Sequence, residues 1–500
     1  MRSAALLVLL SLSLSAADWT RFRGPNGSGV AGVTGLPVEF GPQKNLLWKT
    51  PLPRCHSSPI LAAGRIFLTA FEGEKLLTLG LDGNTGKILW QRGIVRTRQA
   101  RHHDNNNAAS PSPVTDGSSV YAFFQDFGLV SYSAAGEERW KLPLGPFENY
   151  HGMGASPILA GGAVIQVCDQ DVGSFIVAVD KDTGKVRWRK DRPEAAGNGF
   201  ATPVVAADGA VVVLGARQIA AYGADSGERV WWRAGLPRQP KGSPVVGSGG
   251  ALFLNVQTLG DERGLPPFDF AQLLSQFDSN KDGRFTRDDF LATMPRFNEP
   301  FTQMDSNGDG ELSEKEFQLF ADSAKVENTM MSFRPEGRGD LSEAKPLWKR
   351  SKGLPNVPSL LVYQDVLYTV KEGGIFSSHD PSTGEVYKQG RLQGALDHYF
   401  ASPVAADGKI YLVSRDGHAV VLKAGREWEI LAVNALDEEC FATPALAEGR
   451  IYLRTTKALY AFGHDKTDLQ ANLPGGSGPS GINDLPVANL RRRLLPSRRL

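Results

Sequence analysis

Residues 82–90 read Asp82-Gly83-Asn84-Thr85-Gly86-Lys87-Ile88-Leu89-Trp90, and this stretch decides the fold because its pattern recurs along the chain. The pattern Asp-x-x-Thr-Gly-x-x-x-Trp returns complete from Asp180 to Trp188, with a near match from Asp225 to Trp231. Its glycine supplies the positive φ that a tight hairpin needs. Its tryptophan gives each unit a large flat surface to bury against a neighbour. The stretch therefore predicts a turn and final strand of a repeated small sheet.

A second marker, a small residue followed by proline, begins each repeat. Seven residues after Pro59 stands the apolar Ile66, and the same step recurs from Pro113, Pro157, Pro403 and Pro444. Thr202-Pro203 and Ser243-Pro244 fit with about one extra residue, and Pro358-Ser359 is a transposed copy. The two markers together define eight units, which begin near residues 57, 112, 156, 202, 243, 358, 402 and 443.

Each unit has the pattern of four short strands, and a lone four-stranded sheet cannot bury both of its faces. Radial stacking of such sheets solves this problem. The last unit ends near Phe462 without a tryptophan strand, whereas the segment from Asn45 to Lys49 has that character at the other end. We expect an all-β, eight-bladed β-propeller of four-stranded blades whose last blade is closed by the N-terminal strand. A two-sheet sandwich, the alternative, predicts no split blade.

Composition narrows the functional classes. The 500 residues include 55 Gly and 31 Pro, which suits a turn-rich β fold, and the formal net charge of +1 gives no long-range attraction to nucleic acid.

The N-terminus has Arg2, an apolar run from Ala4 to Leu14 and then small residues, which predicts a signal peptide over residues 1–17. A buried N-terminal strand is the alternative. With no run long enough to span a membrane, we expect a secreted or periplasmic protein.

Between Trp231 and Trp348 the spacing of tryptophans more than doubles, and residues 259–332 turn acidic and helical. We predict that this segment is an EF-hand pair inserted in blade 5. Residues 305–316 form a complete calcium loop, whose predicted ligands are Asp305, Asn307, Asp309, the carbonyl of Glu311 and Glu316. The partner loop begins at Asp278, and its predicted ligands are Asp278, Asn280, Asp282, the carbonyl of Arg284 and Asp289.

Asp289 replaces the usual closing glutamate of the loop that begins at Asp278, so we expect weaker calcium binding there or more tolerance of Mg²⁺. The alternative is a solvated acidic loop that binds no metal. The flanking helices are predicted near Phe270 to Phe277 and Phe317 to Ala321. Outside the cytoplasm calcium is plentiful, which favours a permanently loaded structural or docking module over a sensor.

Polar residues precede the innermost strand of several units and are expected to surround one mouth of the central channel. The candidates for contact with a cofactor or another ligand are His56, His102, His103, Asn107, His151, Asn198, Lys241 and His398. Such a set is suited to a metal, a quinone or a polar ligand. The alternative is that these residues only satisfy backbone groups around a wet channel. Cys55 and Cys440 belong to units that are neighbours in a closed ring, which leaves a disulfide between them open.

The Asp-x-x-Thr-Gly-x-x-x-Trp unit resembles the tryptophan-docking repeat of the quinoprotein propellers. Residues 18–25 and 107–117 resemble segments of secreted bacterial PQQ-like repeat proteins. The resemblance implies a propeller over residues 18–258 and 333–464. Residues 465–500 are Gly/Pro/Ser-rich and then basic, and this composition predicts a disordered tail.

Quinoprotein dehydrogenases typically have adjacent paired cysteines and an Asp, Asn and Glu set around Ca²⁺ and pyrroloquinoline quinone (PQQ). This chain has no Cys-Cys pair, and the family's catalytic residues do not transfer to it position by position. The first hypothesis is a non-catalytic scaffold or a module that binds a protein or a polar small molecule, with Ca²⁺ in the insert. The alternative is a PQQ-dependent alcohol or sugar dehydrogenase. Neither involves nucleic acid or a membrane span.

Overall fold

The computed structural model describes residues 18–149, 151–171, 173–195, 197–257, 269–293, 301, 304–305, 309–324 and 326–464. The predicted signal peptide, the predicted tail and the predicted ligand Asn307 lie outside these residues. Within them, eight antiparallel sheets follow one another along the chain as blades of a β-propeller. Among the described residues, no helix has the length and apolar composition that a membrane span needs.

Blades 1 to 4 are built from consecutive strands, the first innermost. Their strands are Ile60–Ala62, Arg65–Glu72, Lys75–Asp82 and Ile88–Val95 in blade 1; Val114–Thr115, Ser119–Phe124, Gly128–Ser133 and Glu138–Pro143 in blade 2; Ile158–Ala160, Ala163–Cys168, Phe175–Asp180 and Val186–Asp191 in blade 3; and Val204–Val205, Val211–Gly215, Gln218–Tyr222 and Arg229–Ala234 in blade 4. A short strand, Gly339–Asp340, pairs in parallel with the last strand of blade 4.

Blades 5 to 8 follow the same plan. Their strands are Val245–Val246, Leu252–Val256, Thr329–Phe333 and Trp348–Arg350 in blade 5; Leu361–Tyr363, Val366–Lys371, Ile375–His379 and Val386–Arg391 in blade 6; Val404–Ala406, Lys409–Val413, His418–Lys423 and Glu429–Ala435 in blade 7; and Ala445–Ala447, Arg450–Arg454, Ala458–Phe462 and Leu46–Pro51 in blade 8. Short 3₁₀ helices occupy Pro25–Gly27, Pro193–Ala195, Ser248–Gly250 and Glu372–Gly374.

The predicted closure of the ring is confirmed. Strand Leu46–Pro51 pairs antiparallel with Ala458–Phe462, so the two ends of the propeller sequence share blade 8. Its tryptophan, Trp48, is buried and donates a hydrogen bond of 3.2 Å to the carbonyl of Gly83 in blade 1. Blade 8 is thereby fixed both within its own sheet and to the next blade.

In five blades the tryptophan of the last strand docks on the glycine turn of the next blade and so joins the two blades. Trp140 of blade 2 lies over Gly184 of blade 3, where an added Cβ would stand 2.7 Å from the indole ring. The Trp140 indole N–H donates to the carbonyl of Lys181 in the same turn at 2.9 Å. The same glycine contact recurs for Trp48 on Gly86, Trp90 on Gly136, Trp188 on Gly227 and Trp348 on Gly384. The glycine is thus required for packing as well as for its positive φ.

The segment before the closing strand crosses from blade to blade on its way to blade 8. Trp19 pairs with Leu61 of blade 1, and further on Val30 pairs with Ala405 of blade 7. Between these bridges, the buried guanidinium of Arg23 donates to the carbonyl of Leu360 in blade 6 at 2.7 Å. Residues 18–31, called here the crossing segment, therefore lie across the inner edges of several blades.

Helices lie between the second and third strands of blade 5, where the insert was predicted. In the described part of the insert, α1 spans Phe270–Phe277, α2 spans Arg287–Thr293 and α3 spans Glu314–Ala324. The third strand of blade 5, Thr329–Phe333, begins inside the stretch that the sequence analysis assigned to the insert, 259–332. The strand belongs to the blade because Met331 and Phe333 are buried in the core that also holds Trp231 of blade 4.

The disulfide considered between Cys55 and Cys440 is not formed. All three cysteines are buried free thiols. Cys55 donates to the carbonyl of Ala109 at 2.9 Å, and Cys440 donates to the carbonyl of Arg454 at 3.1 Å. The two thiols therefore satisfy separate backbone groups, and burial raises the pKa of Cys440 to about 12.

Candidate binding cavity and calcium loops

A cavity of about 490 Å³ lies at the centre of the ring of blades, lined by residues from all blades and by Phe22 of the crossing segment. Its lining has two tiers, which follow from strand geometry. Successive side chains of an extended strand point to opposite sides, so residues two apart face the same way. The residue two positions before each innermost strand and the residue two positions earlier again therefore both face the channel.

The lower tier is a closed circle of side-chain hydroxyls, named here the hydroxyl ring. In each blade the backbone N–H of the ring residue donates to the ring hydroxyl of the next blade, at 2.8–3.0 Å. The ring consists of Ser58, Ser112, Ser156, Thr202, Ser243, Ser359, Ser402 and Thr443, all buried. Seven of the eight directly precede a proline, and in the transposed copy Ser359 follows Pro358 yet still supplies the hydroxyl.

The upper tier, named here the outer ring, is formed by the residues two positions before the hydroxyl ring. Its members are His56, Ser110, Gly154, Phe200, Lys241, Val357, Phe400 and Phe441. The His56 ring stacks on Phe441 at a centroid distance of 4.1 Å, and Phe400 lies 5.1 Å from Phe441. One side of the cavity is therefore aromatic, whereas Lys241 supplies an ammonium group from blade 5.

Loops add two more histidines to the mouth. The rings of His103 and His151 lie 5.4 Å apart, and His151 meets Phe200 edge-on at 5.8 Å. The Nε2 atoms of Gln239 and His151 are 3.4 Å apart. Burial lowers the pKa of His151 to about 3, with His103 and Lys241 contributing, so this imidazole is neutral at pH 7.

The charge around the cavity is positive. Lys241 donates to Asn356 Oδ1 at 2.8 Å and to the carbonyl of Gln257 at 3.1 Å. Burial lowers its pKa to about 8, while the charge of Glu372 opposes that shift. No Asp or Glu is among the described residues that line the cavity. Burial lowers the pKa of His56 to about 3, so this histidine is neutral as well.

Four predicted candidates, His56, His103, His151 and Lys241, come together in this cavity, and the other four do not. His102 and His398 are exposed. Asn107 is buried and turns its amide oxygen back to the N–H of Ala109 at 3.0 Å. Asn198 is also buried but away from the lining.

Sequence reasoning missed the hydroxyl ring and the phenylalanines. A signal for most of them exists, because a hydroxyl residue beside the recurring proline and the position two before it recur in every unit. Phe200, Phe400 and Phe441 all stand at that position. Phe22 has no such signal, because the crossing segment brings it to the channel from outside the repeats.

The two predicted calcium loops lie side by side as a pair. Thr286 of the first loop forms a β-bridge with Glu311 of the second, and the N–H of Leu312 donates to the carbonyl of Phe285 at 2.8 Å. A core of the insert's own apolar residues holds the helices, and it consists of Leu273, Phe285, Phe290, Phe301, Met304, Leu312 and Phe317. Leu312 and Phe285 therefore join the two loops.

Within each loop the predicted ligand side chains accept hydrogen bonds from backbone N–H groups of the same loop. Asp278 accepts from the N–H of Gly283 at 2.9 Å, and Asp305 accepts from the N–H of Gly310 at 3.1 Å, the same step in both loops. These bonds hold the first carboxylate of each loop toward the loop interior. Asp282, Asn280 and Asp309 accept bonds from loop N–H groups in the same way.

The closing residues of the loops, Asp289 and Glu316, are 2% and 7% exposed. Asp289 accepts from the N–H of Thr286 at 3.0 Å, and Glu316 accepts from the N–H of Ser313 at 2.9 Å. Arg284 and Glu311, predicted to act through their carbonyls, pair their side chains outside at 3.2 Å. In the described residues, no three His, Cys, Asp or Glu side chains converge closely enough to form a metal-binding cluster.

Comparison with known proteins agrees with this geometry. A PQQ-type family model described as outer membrane protein assembly factor BamB matches residues 38–175 and 172–269. The chain is an eight-bladed β-propeller, of which residues 38–269 match the PQQ-type model. An EF-hand family model matches residues 299–321 of this propeller, across the second calcium loop. No curated protein matches its sequence.

Several solved structures resemble this propeller in fold. BamB from Moraxella catarrhalis is 15% identical with a TM-score of 0.51, and the match covers 84% of this chain and 98% of that one. Quinohemoprotein alcohol dehydrogenase from Comamonas testosteroni is 12% identical with a TM-score of 0.56, covering 89% and 80%. A europium-containing methanol dehydrogenase is 9% identical with a TM-score of 0.55, covering 90% and 98%. At these identities the likeness concerns the fold alone.

Proposed function

We propose that the protein is an exported, calcium-loaded PQQ-like propeller that acts as a non-catalytic binding module and holds a polar ligand in its central cavity. The observation that carries this proposal is the two-tiered lining of the cavity, in which hydroxyl and imidazole groups stand beside an aromatic wall. Concave sites with apolar walls and a few converging polar groups are typical of ligand binding.

The donor set of the cavity favours binding over quinone-dependent oxidation. In quinoprotein dehydrogenases, Asp, Asn and Glu surround a Ca²⁺ ion beside PQQ. Of the described residues that line this cavity, the asparagines are Asn105, Asn106 and Asn356, and none is acidic. Ca²⁺ requires six to eight oxygen ligands, usually with carboxylates among them. The residues present therefore do not fit a calcium–quinone pair.

The calcium loops have a structural role in this proposal. Their ligand positions match the EF-hand pattern, and the EF-hand model matches the second loop. The loops interrupt blade 5, so a bound cation would stabilise a long insertion between two paired strands. Export follows from the predicted signal peptide, and the match to an outer membrane assembly factor supports it.

Calorimetry with purified protein lacking the signal peptide tests the proposal. After removal of metal, the protein is titrated with Ca²⁺ and then with PQQ. We expect heat from Ca²⁺ and none from PQQ. Saturable PQQ binding, followed by dye-linked oxidation of an alcohol or sugar, would replace the proposal with the dehydrogenase. Absence of heat from Ca²⁺ would remove the EF-hand assignment.

A further inference from the structure

The hydroxyl ring has an unused set of hydrogen-bond donors. Each ring oxygen accepts a hydrogen bond from the N–H of the preceding blade, as in Ser112 to Ser156 at 3.0 Å. No described residue accepts a hydrogen bond from any of these hydroxyls. A hydroxyl has one donor and two acceptor sites, so each ring member keeps a proton to donate. All but Ser243 line the cavity.

Positive charge lies at the cavity and next to it. Lys241 reaches the cavity from the outer ring, and Phe22 enters it between two buried arginines, Arg21 and Arg23. Neither arginine forms an ion pair with a described residue, and Nε of both has no hydrogen-bond partner there. Burial lowers the pKa of each guanidinium to about 9, so both remain charged at pH 7.

A buried cation without a counter-charge is costly, and a bound anion removes that cost. The hydroxyl protons that no described residue accepts also favour an anion, because each of them can turn toward the cavity and donate to it. Neutral ligands gain less, since they lack the charge that strengthens such bonds.

We propose that the hydroxyl ring and Lys241 bind an oxyanion on the propeller axis, a carboxylate or a phosphate group. The inference rests on the proposed function, of which it names the ligand class. The aromatic side of the outer ring, Phe400 and Phe441 with His56, packs against any apolar body that the anion carries. The buried Arg21 and Arg23 add long-range attraction without contact.

Calorimetric titration of the calcium-loaded, full-length mature protein with benzoate, benzamide and inorganic phosphate tests the inference. Benzoate and benzamide have the same ring and differ in charge. We expect benzoate to bind and benzamide to bind at least about tenfold more weakly. Phosphate binding as well would identify a general oxyanion site, whereas benzoate alone would identify a site for organic carboxylates. Both results support the inference.

Equal binding of benzamide and benzoate would overturn the anion assignment and leave the binding module intact. If neither the three probes nor a panel of neutral sugars binds, the proposed function itself is overturned. Lys241→Met is expected to weaken benzoate by about tenfold or more. The matched control is Lys141→Met, which removes the same charge from the exposed last strand of blade 2 and leaves affinity unchanged.

Should Lys241→Met lower the melting temperature enough to prevent titration, Lys241→Arg replaces it. This variant keeps the charge, so we expect benzoate affinity within a fewfold of the original protein. The comparison of benzoate with benzamide on the unmodified protein needs no variant, and its result decides the inference in either direction.

Discussion

Arg192 donates two hydrogen bonds to Asp169, from Nε to Oδ1 at 2.8 Å and from Nη2 to Oδ2 at 3.1 Å. The side chains of Arg192 and Asp169 are 0% and 1% exposed. The same guanidinium donates to the hydroxyl of Tyr222 at 2.5 Å. The contact ties the end of the last strand of blade 3 to the end of its second strand and to blade 4. A charge pair so deeply buried depends on both partners.

Asp169→Asn is expected to lower the free energy of unfolding by about 3–5 kcal/mol, because it leaves the Arg192 charge buried without a counter-charge. Urea denaturation at pH 7 measures the loss. The control is Glu138→Gln, which breaks the exposed pair of Glu138 with Lys141 and should cost less than about 1 kcal/mol. Equal small losses in both variants would show that the buried pair contributes no more than a surface pair.

Gly184→Ala tests the docking of tryptophan on the glycine turn. The new Cβ would stand 2.7 Å from the Trp140 ring, at a position with φ of +74°. We expect a loss of about 2–5 kcal/mol, the sum of about 1–2 kcal/mol for the left-handed backbone and about 1–3 kcal/mol for overpacking.

The matched control for this clash is Gly209→Ala. Gly209 has φ of +84° and no atom within 4 Å of an added Cβ, so it reports the backbone cost alone. Chemical denaturation of the two variants separates the terms. If both lose the same stability, the tryptophan contact does not restrict this position.

Glu316→Gln is expected to weaken calcium binding at the second loop by at least about tenfold, since even groups behind metal ligands change affinity by 10–100-fold. Isothermal calorimetry measures both loops. The control is Glu311→Gln, because Glu311 is predicted to contribute its backbone carbonyl and its side chain pairs with Arg284 outside the loop. Equal weakening in both variants would contradict the assigned ligand set.

Acidification is expected to destabilise the protein through His56 and His151. Their folded pKa of about 3 lies below the ordinary value of about 6.5. Between these values the unfolded chain binds more protons, so the free energy of unfolding falls as pH falls, and the full contribution is present above pH 6.5. Each histidine should account for about 1–2 kcal/mol between pH 7 and pH 5.

Denaturation at both pH values, in the original protein and in a His56→Gln/His151→Gln variant, measures this effect. The double variant should lose markedly less stability on acidification, whereas His398→Gln, a change at an exposed histidine, should leave the loss unaltered. An unchanged loss in the double variant would assign the acid sensitivity to carboxylates instead.

The propeller fold could be predicted from the sequence because the motifs that indicate it are short and repeated. A turn glycine such as Gly184 and a tryptophan such as Trp188 lie within one short motif, and its complete and partial copies reinforce one another along the chain. The closing strand could be predicted for a related reason, since a unit that lacks its fourth strand implies that this strand lies elsewhere in the chain. Exact strand boundaries were harder to predict. In blade 5 the acidic insert obscures the start of the third strand at Thr329.

Only part of the cavity lining could be predicted from the sequence. Polar character alone selected His56 and Lys241, which stand at the correct strand parity, together with Asn198 and Asn107, which do not face the channel. The position two residues before each ring hydroxyl, counted from the recurring proline, would have excluded both asparagines and included Phe200, Phe400 and Phe441. The contribution of Phe22 depends on a long-range crossing of the ring, which no local pattern encodes.

The closing strand has a consequence for biosynthesis. Leu46–Pro51 leaves the ribosome early, yet its partner Ala458–Phe462 is made only when the whole propeller has been translated. The crossing segment likewise awaits Ala405 in blade 7. The earliest part of the nascent propeller therefore stays an unpaired, aggregation-prone edge until the latest part arrives. Synthesis from the N-terminus forms the blades in order, but the ring closes only when Ala458–Phe462 has been made and pairs with Leu46–Pro51.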